Sequence, residues 1–140
     1  MAFTGNAFCT SAKVGFLTGT YIPLTDTMKI ALYTNAATLD ASTTAYTTSG
    51  EVIGVGYTAG GNTLTGNAIS FSGTTAWLTF SDSSWTTATI TARGALVYDS
   101  TQSNAAIAVL DFGSDKTSTA GTFTVQMPTA AASTALIRIA

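Results

Sequence analysis

Apolar and polar residues alternate with a period of two along most of the chain from residue 28 onward, the spacing of strands that face a core on one side and water on the other. Met28 to Thr34 puts Met28, Ile30 and Leu32 on one face and Lys29, Ala31 and Tyr33 on the other. Thr63 to Phe71 and Thr74 to Phe80 read as two strands around Ser72-Gly73, a step with the size and chemistry of a tight hairpin turn. The clearest alternation runs from Thr87 to Asp99, with Ile90, Ala92, Leu96 and Tyr98 opposed to Thr89, Thr91, Arg93 and Val97. Asn104 to Phe112, Thr122 to Met127 and Thr134 to Ile139 complete about eight strands. Between them, residues 35 to 50 read as a long connection, Glu51 to Tyr57 as an extended run broken by Gly54 and Gly56, and Ala59 to Asn62 as a turn.

The first 21 residues lack this alternation. Thr10 or Ser11 caps a short helix from Ala12 to Leu17 with Gly19 as its stop, an extended arm being the alternative. Met1 to Tyr21 also carries Phe3, Phe8, Phe16, Leu17 and Tyr21, too many large apolar side chains to stay free in water. Such an arm either docks on a neighbouring subunit or caps the end of its own core. The expectation is an all-β chain: an antiparallel β-sandwich or jelly roll of about eight strands with a short N-terminal helix or arm. A closed small barrel is the second choice. Residues 1 to 140 are expected to form a single domain, with the arm at 1 to 21 and the sandwich at 28 to 140.

Composition narrows the function. There is no histidine, one cysteine and, with Lys+Arg 5 and Asp+Glu 7, little that could move a proton, so the chain is not expected to be an enzyme or to hold a cofactor or metal. Thr and Ser make up about 30 % of the residues, and hydroxyl-bearing strands can meet water or another protein without the desolvation cost of a charge. Hydrophobic residues at 46 % and a mean hydropathy of +0.34 argue for a folded chain. Lys13, Lys29, Arg93, Lys116 and Arg138 are too few and too scattered to bind nucleic acid. No run approaches the length of a membrane span, and the N-terminus has neither the basic start nor the apolar core of a signal peptide, so no membrane partner is expected. Cys9 stands alone and is read as a buried structural thiol.

Apparent motifs reduce to turns. Gly54-Val55-Gly56-Tyr57-Thr58-Ala59-Gly60 looks like a nucleotide loop, but its third glycine comes late and no helix follows. Asp111-Phe112-Gly113 matches a kinase triplet in letters only. The oxygen-rich stretches Asp99 to Asn104 and Asp111 to Asp115 lack the spaced carboxylates of a calcium loop and read as hairpin turns.

What the sequence does suggest is contact with other proteins. Only 9 % of residues are charged, which leaves a surface poorly protected from self-association, so a homodimer is the first expectation and a trimer the second. Phe3, Phe8, Tyr57, Trp85 and Arg93 are the candidate interface residues: the two phenylalanines as arm anchors, Trp85 at a strand entrance, and Arg93 as a surface charge, paired with a neighbouring acid or reaching a partner. Trp77, inside an alternating apolar strand, is expected in the core.

Four segments carry a family resemblance: KIALYT (Lys29 to Thr34), GEVIGVGYTAGGNTLTG (Gly50 to Gly66), TITARGALVYDS (Thr89 to Ser100) and AIAVLDFGSDKTSTAGTFTVQMP (Ala106 to Pro128). Together they resemble the capsid decoration or cement proteins of tailed bacteriophages, notably podophages such as those of Bordetella. The resemblance implies an oligomeric jelly-roll protein made in the bacterial host cytoplasm and bound to the exterior of the virion capsid, with the major capsid protein as partner. It implies no catalytic or ligand-binding residues. A tail-fibre or adhesin-like module that binds carbohydrate through Trp85 and other aromatics is the alternative.

Overall fold

The computed structural model describes residues 3 to 140; the first two residues of the expected arm, Met1 and Ala2, lie outside the described residues. The chain runs β1 (Ala7–Phe8), α1 (Thr10–Leu17), β2 (Met28–Tyr33), β3 (Asn62–Thr63), β4 (Ala68–Ser72), β5 (Thr75–Thr79), β6 (Ser83–Asp99), β7 (Ala105–Val125) and β8 (Ile137–Ile139). A five-stranded sheet has the order β1-β7-β6-β2-β3, and a three-stranded sheet the order β4-β5-β8. Every strand pair is antiparallel. The fold is therefore all-β with one short helix, in two open sheets rather than a closed barrel. Leu78, Phe80 and Ile137, from the small sheet and the segment that follows β5, join the same buried cluster as β2, β6 and β7.

The alternation at residues 28 to 34 correctly marks β2, but the strand is buried on both faces. Ala31 and Tyr33 are as inaccessible as Ile30 and Leu32, and the Tyr33 hydroxyl donates to the Thr47 carbonyl at 2.7 Å. Two strands expected at 104 to 112 and 122 to 127 are one strand, β7. The polar stretch between them stays extended because it pairs with β6, as in Thr91 with Thr117 and Ile90 with Ser118. Asp111 to Asp115 is consequently no hairpin turn: the register jumps from Ala92 opposite Lys116 to Gly94 opposite Asp111, so the intervening residues bulge out of β7. Asp99 to Asn104 does turn the chain, from β6 into β7, with Ser103 and Asn104 at positive φ. The run expected to be extended at Glu51 to Tyr57 is a loop, joined to β2 by a single bridge between Glu51 and Tyr33.

The helix begins earlier than its sequence signals. Cys9 is the N-cap, in extended conformation and with no side-chain capping bond, while Gly19 stops the helix as expected with φ +72. The reason is tertiary: the Cys9 N–H is held by the Ile107 carbonyl at 2.9 Å at the end of the β1–β7 pairing, so the chain leaves the sheet directly into the helix. The Cys9 thiol is buried, and that burial, with Asp40 nearby, pushes its pKa up to about 11.

Candidate interaction site

The most organised polar cluster surrounds Glu51, a buried acid with no cation against it. One of its carboxylate oxygens accepts from the Tyr57 hydroxyl at 2.6 Å and from the Gly60 N–H at 2.7 Å, and the other accepts from the Tyr46 hydroxyl at 2.7 Å. Tyr57 in turn accepts from the Leu32 N–H at 2.9 Å, and Tyr98 donates to the Gly60 carbonyl at 2.7 Å. Tyr46 and Tyr98 stack at 4.8 Å. Burial, reinforced by Glu51, raises the pKa of all four surrounding tyrosines, Tyr98 to about 12. A carboxylate held by three donors needs no counter-ion, and here it binds the start of the 51–61 loop to its end.

That latch positions what lies between. Val52 is buried and donates to the Leu32 carbonyl at 2.9 Å, and Val55 accepts from the Thr89 N–H at 2.9 Å. Gly54 is pressed so closely on β6 that a Cβ there would run into the Thr89 carbonyl oxygen. Fixed at these points, the loop turns Ile53 and Val55 outward, 99 % and 74 % exposed. A loop whose backbone is pinned has little freedom left to lose when its two large aliphatic side chains bind, which is the property of a preorganised anchor.

A second apolar surface lies on the small sheet. Phe71 is exposed beside a groove of about 320 Å³ whose lining includes Phe16, Tyr21, Ile22, Ala76 and the exposed Ile69 and Ile139. No charged side chain lines it.

The five residues expected at an interface are scattered. Phe3 is fully buried, bridging to Leu39 and lying over Gly94, where a Cβ would overlap its ring. The N-terminal segment therefore caps its own core through Phe3, and the expectation that Phe3 docks elsewhere is corrected. Phe8 is half-buried in an aromatic row, 5.8 Å from Phe16, with Lys13 Nζ 5.7 Å above its ring. Trp85 is buried rather than exposed at a strand entrance, packed between Tyr57 at 5.9 Å and Phe123 at 6.3 Å. Its hydroxyl committed to Glu51, Tyr57 supports the displayed loop rather than forming its tip. Arg93 pairs with a strand-neighbour acid, Nε to Asp111 Oδ1 at 3.4 Å. Trp77, expected in the core, is only half-buried, on the central strand of the small sheet. Ile53, Val55, Ile69 and Phe71 carry no special signal in the sequence: a period-two stripe marks a face, and only the tertiary structure decides whether that face is covered.

No family model matches the chain, and neither a curated protein nor a solved structure is similar to it. Among the described residues, no helix is long and apolar enough to cross a membrane, and no cluster of three or more metal-ligating side chains occurs.

Proposed function

We propose that the chain is a viral structural protein, a decoration or cement protein that binds the outside of an assembled phage capsid and stabilises the shell across neighbouring major capsid subunits. The observation that carries this reading is the pinned loop that holds Ile53 and Val55 out into solvent. It supplies shape and apolar area without charge, which suits a protein that grips a repeating protein surface. Binding the assembled shell in preference to free subunits stabilises the shell by mass action, and many modest contacts add up over a lattice. The glycan-binding alternative finds less support, because Trp85 is buried.

The test is co-sedimentation of the purified protein with emptied shells stripped of it, with free capsid subunits as the control. Saturable binding to shells and not to subunits is expected. Replacing Ile53 and Val55 by Asp together should weaken that binding by about two to four orders of magnitude, from the transfer energy of two fully buried aliphatic side chains. Failure to bind shells would overturn the function, and unchanged binding by the double variant would remove the loop from it.

A further inference from the structure

The small sheet is amphipathic, and its apolar face is only half covered. Pairing sets Ile69 beside Leu78 and Ile137, and Phe71 beside Ala76 and Ile139, all on one face. The inner end of that face enters the core, where Leu78 and Ile137 are buried. Its outer end is bare, with Phe71 75 %, Ile139 57 % and Ile69 51 % exposed. Ile22, 50 % exposed, stands in the wall of the adjoining groove.

Phe71 does not itself line the groove of about 320 Å³, which is large enough to admit an aromatic side chain. One chain thus offers a protruding aromatic knob and, beside it on the same sheet, an uncharged apolar hole. A surface with both halves of a knob-and-hole contact is self-complementary about a two-fold axis. We propose that two copies of this chain stack their small sheets face to face, each inserting Phe71 into the groove of the other.

The available area agrees with a second copy as the occupant. Four side chains at half to three-quarters exposure, on residues of roughly 200 Å² each, leave on the order of 450 Å² of apolar surface per copy. At the roughly 65 % apolar share of homodimer interfaces, this corresponds to about 700 Å² per partner, close to the roughly 800 Å² of a standard stable interface. The absence of charge around the groove also fits a contact between identical copies, which would otherwise bring like charges together. This inference rests on the small sheet, not on the 51–61 loop, and its main readout, the oligomeric state, needs no shells.

Sedimentation equilibrium of the full chain should give a dimer at micromolar concentration. Phe71→Lys should weaken it by roughly 30-fold or more. Ala76→Phe, which fills the groove and leaves Phe71 in place, should cause a similar loss. Circular dichroism should show both variants folded. A wild-type chain that stays monomeric at 100 µM, or a dimer indifferent to both variants, overturns the proposal. Phe71→Lys that leaves the dimer intact but abolishes shell binding also overturns it, assigning the face to the shell.

Discussion

Replacing Glu51 by Ala should be among the most damaging single changes in the chain, although Glu51 touches no other charged side chain. The substitution leaves three donors without an acceptor: the Gly60 N–H, which is buried, and the hydroxyls of Tyr57 and Tyr46, which are partly buried. A buried donor left unpaired costs about 1 to 3 kcal/mol, and a hydroxyl that can turn toward water costs less. Taking about 2 kcal/mol for Gly60 and about 1 for each tyrosine gives a loss of about 4 kcal/mol, against a total stability of about 5 to 15 kcal/mol for a domain. At about 2 to 4 °C per kcal/mol for a chain of this size, the melting temperature should fall by about 8 to 16 °C.

Glu51→Gln separates the hydrogen-bond argument from one of simple packing. The amide oxygen can still accept from Tyr57 and Gly60, and the Tyr46 hydroxyl can reverse to accept from the amide nitrogen, so the loss should be only about 1 kcal/mol. Thermal unfolding followed by circular dichroism measures both variants, and amide exchange at Gly60 reports the latch directly. A drop of less than about 3 °C for Glu51→Ala, or a Gly60 amide equally protected in that variant, would refute the reasoning.

Two further predictions follow from the geometry. Asp99 is fully buried: Oδ1 accepts from the Thr101 and Gln102 N–H groups at 3.0 and 3.2 Å, while Oδ2 has no partner. Desolvation, then the nearby carboxyl of Asp26, push the Asp99 pKa up to about 6. Since this lies above the unfolded value of about 3.9, Asp99 favours folding at low pH and loses that contribution as pH rises through about 6. Asp99→Asn imitates the protonated acid, so it should match the wild type near pH 3 and melt higher near pH 7.5; a difference in melting temperature that does not vary with pH would contradict this. Gly54→Ala should lift the displayed loop off the Thr89 carbonyl, lowering the melting temperature by a few degrees and weakening shell binding by about tenfold, and a variant that binds normally would show that the loop's seat on β6 is unimportant.

Strand positions were legible wherever one face is wet, as in the first half of β6, where Ile90 and Ala92 are buried and Thr89 and Thr91 exposed. Alternation says nothing once both faces are covered, and so Tyr33 and Val97 were assigned to an outer face that does not exist. The middle of β7 was missed for the opposite reason. Gly113 to Gly121 is polar and turn-like by composition, but it holds its extended form by pairing with β6, a contact between residues distant in the chain. The hairpin before β5 was placed nearly right: β4 pairs with β5 through Ser72 and Thr75, so the two-residue loop is Gly73-Thr74, with Gly73 at φ +58. The Glu51 cluster had no local signature, because Tyr46 and Tyr57 meet the carboxylate through loop folding rather than strand or helix spacing.

The two bare apolar surfaces make sense of the composition only together. A free monomer with exposed Phe71 and Ile69 on an edge strand that carries no lysine, proline or bulge would be prone to aggregate, and a few charges there would guard it. Such charges would be costly if the face is buried in a dimer, since each would be desolvated against its own copy. The proposed dimer, in turn, would carry two Ile53 and Val55 loops. Each need bind only weakly, because once the first is engaged the second acts at an effective concentration fixed by the rigid scaffold, which can raise the overall affinity by about 10² to 10⁴. A loop that stayed flexible would forfeit much of that gain to ordering entropy. The Glu51 latch, whose carboxylate is buried, would on this reading still contribute to shell affinity by keeping both loops in place.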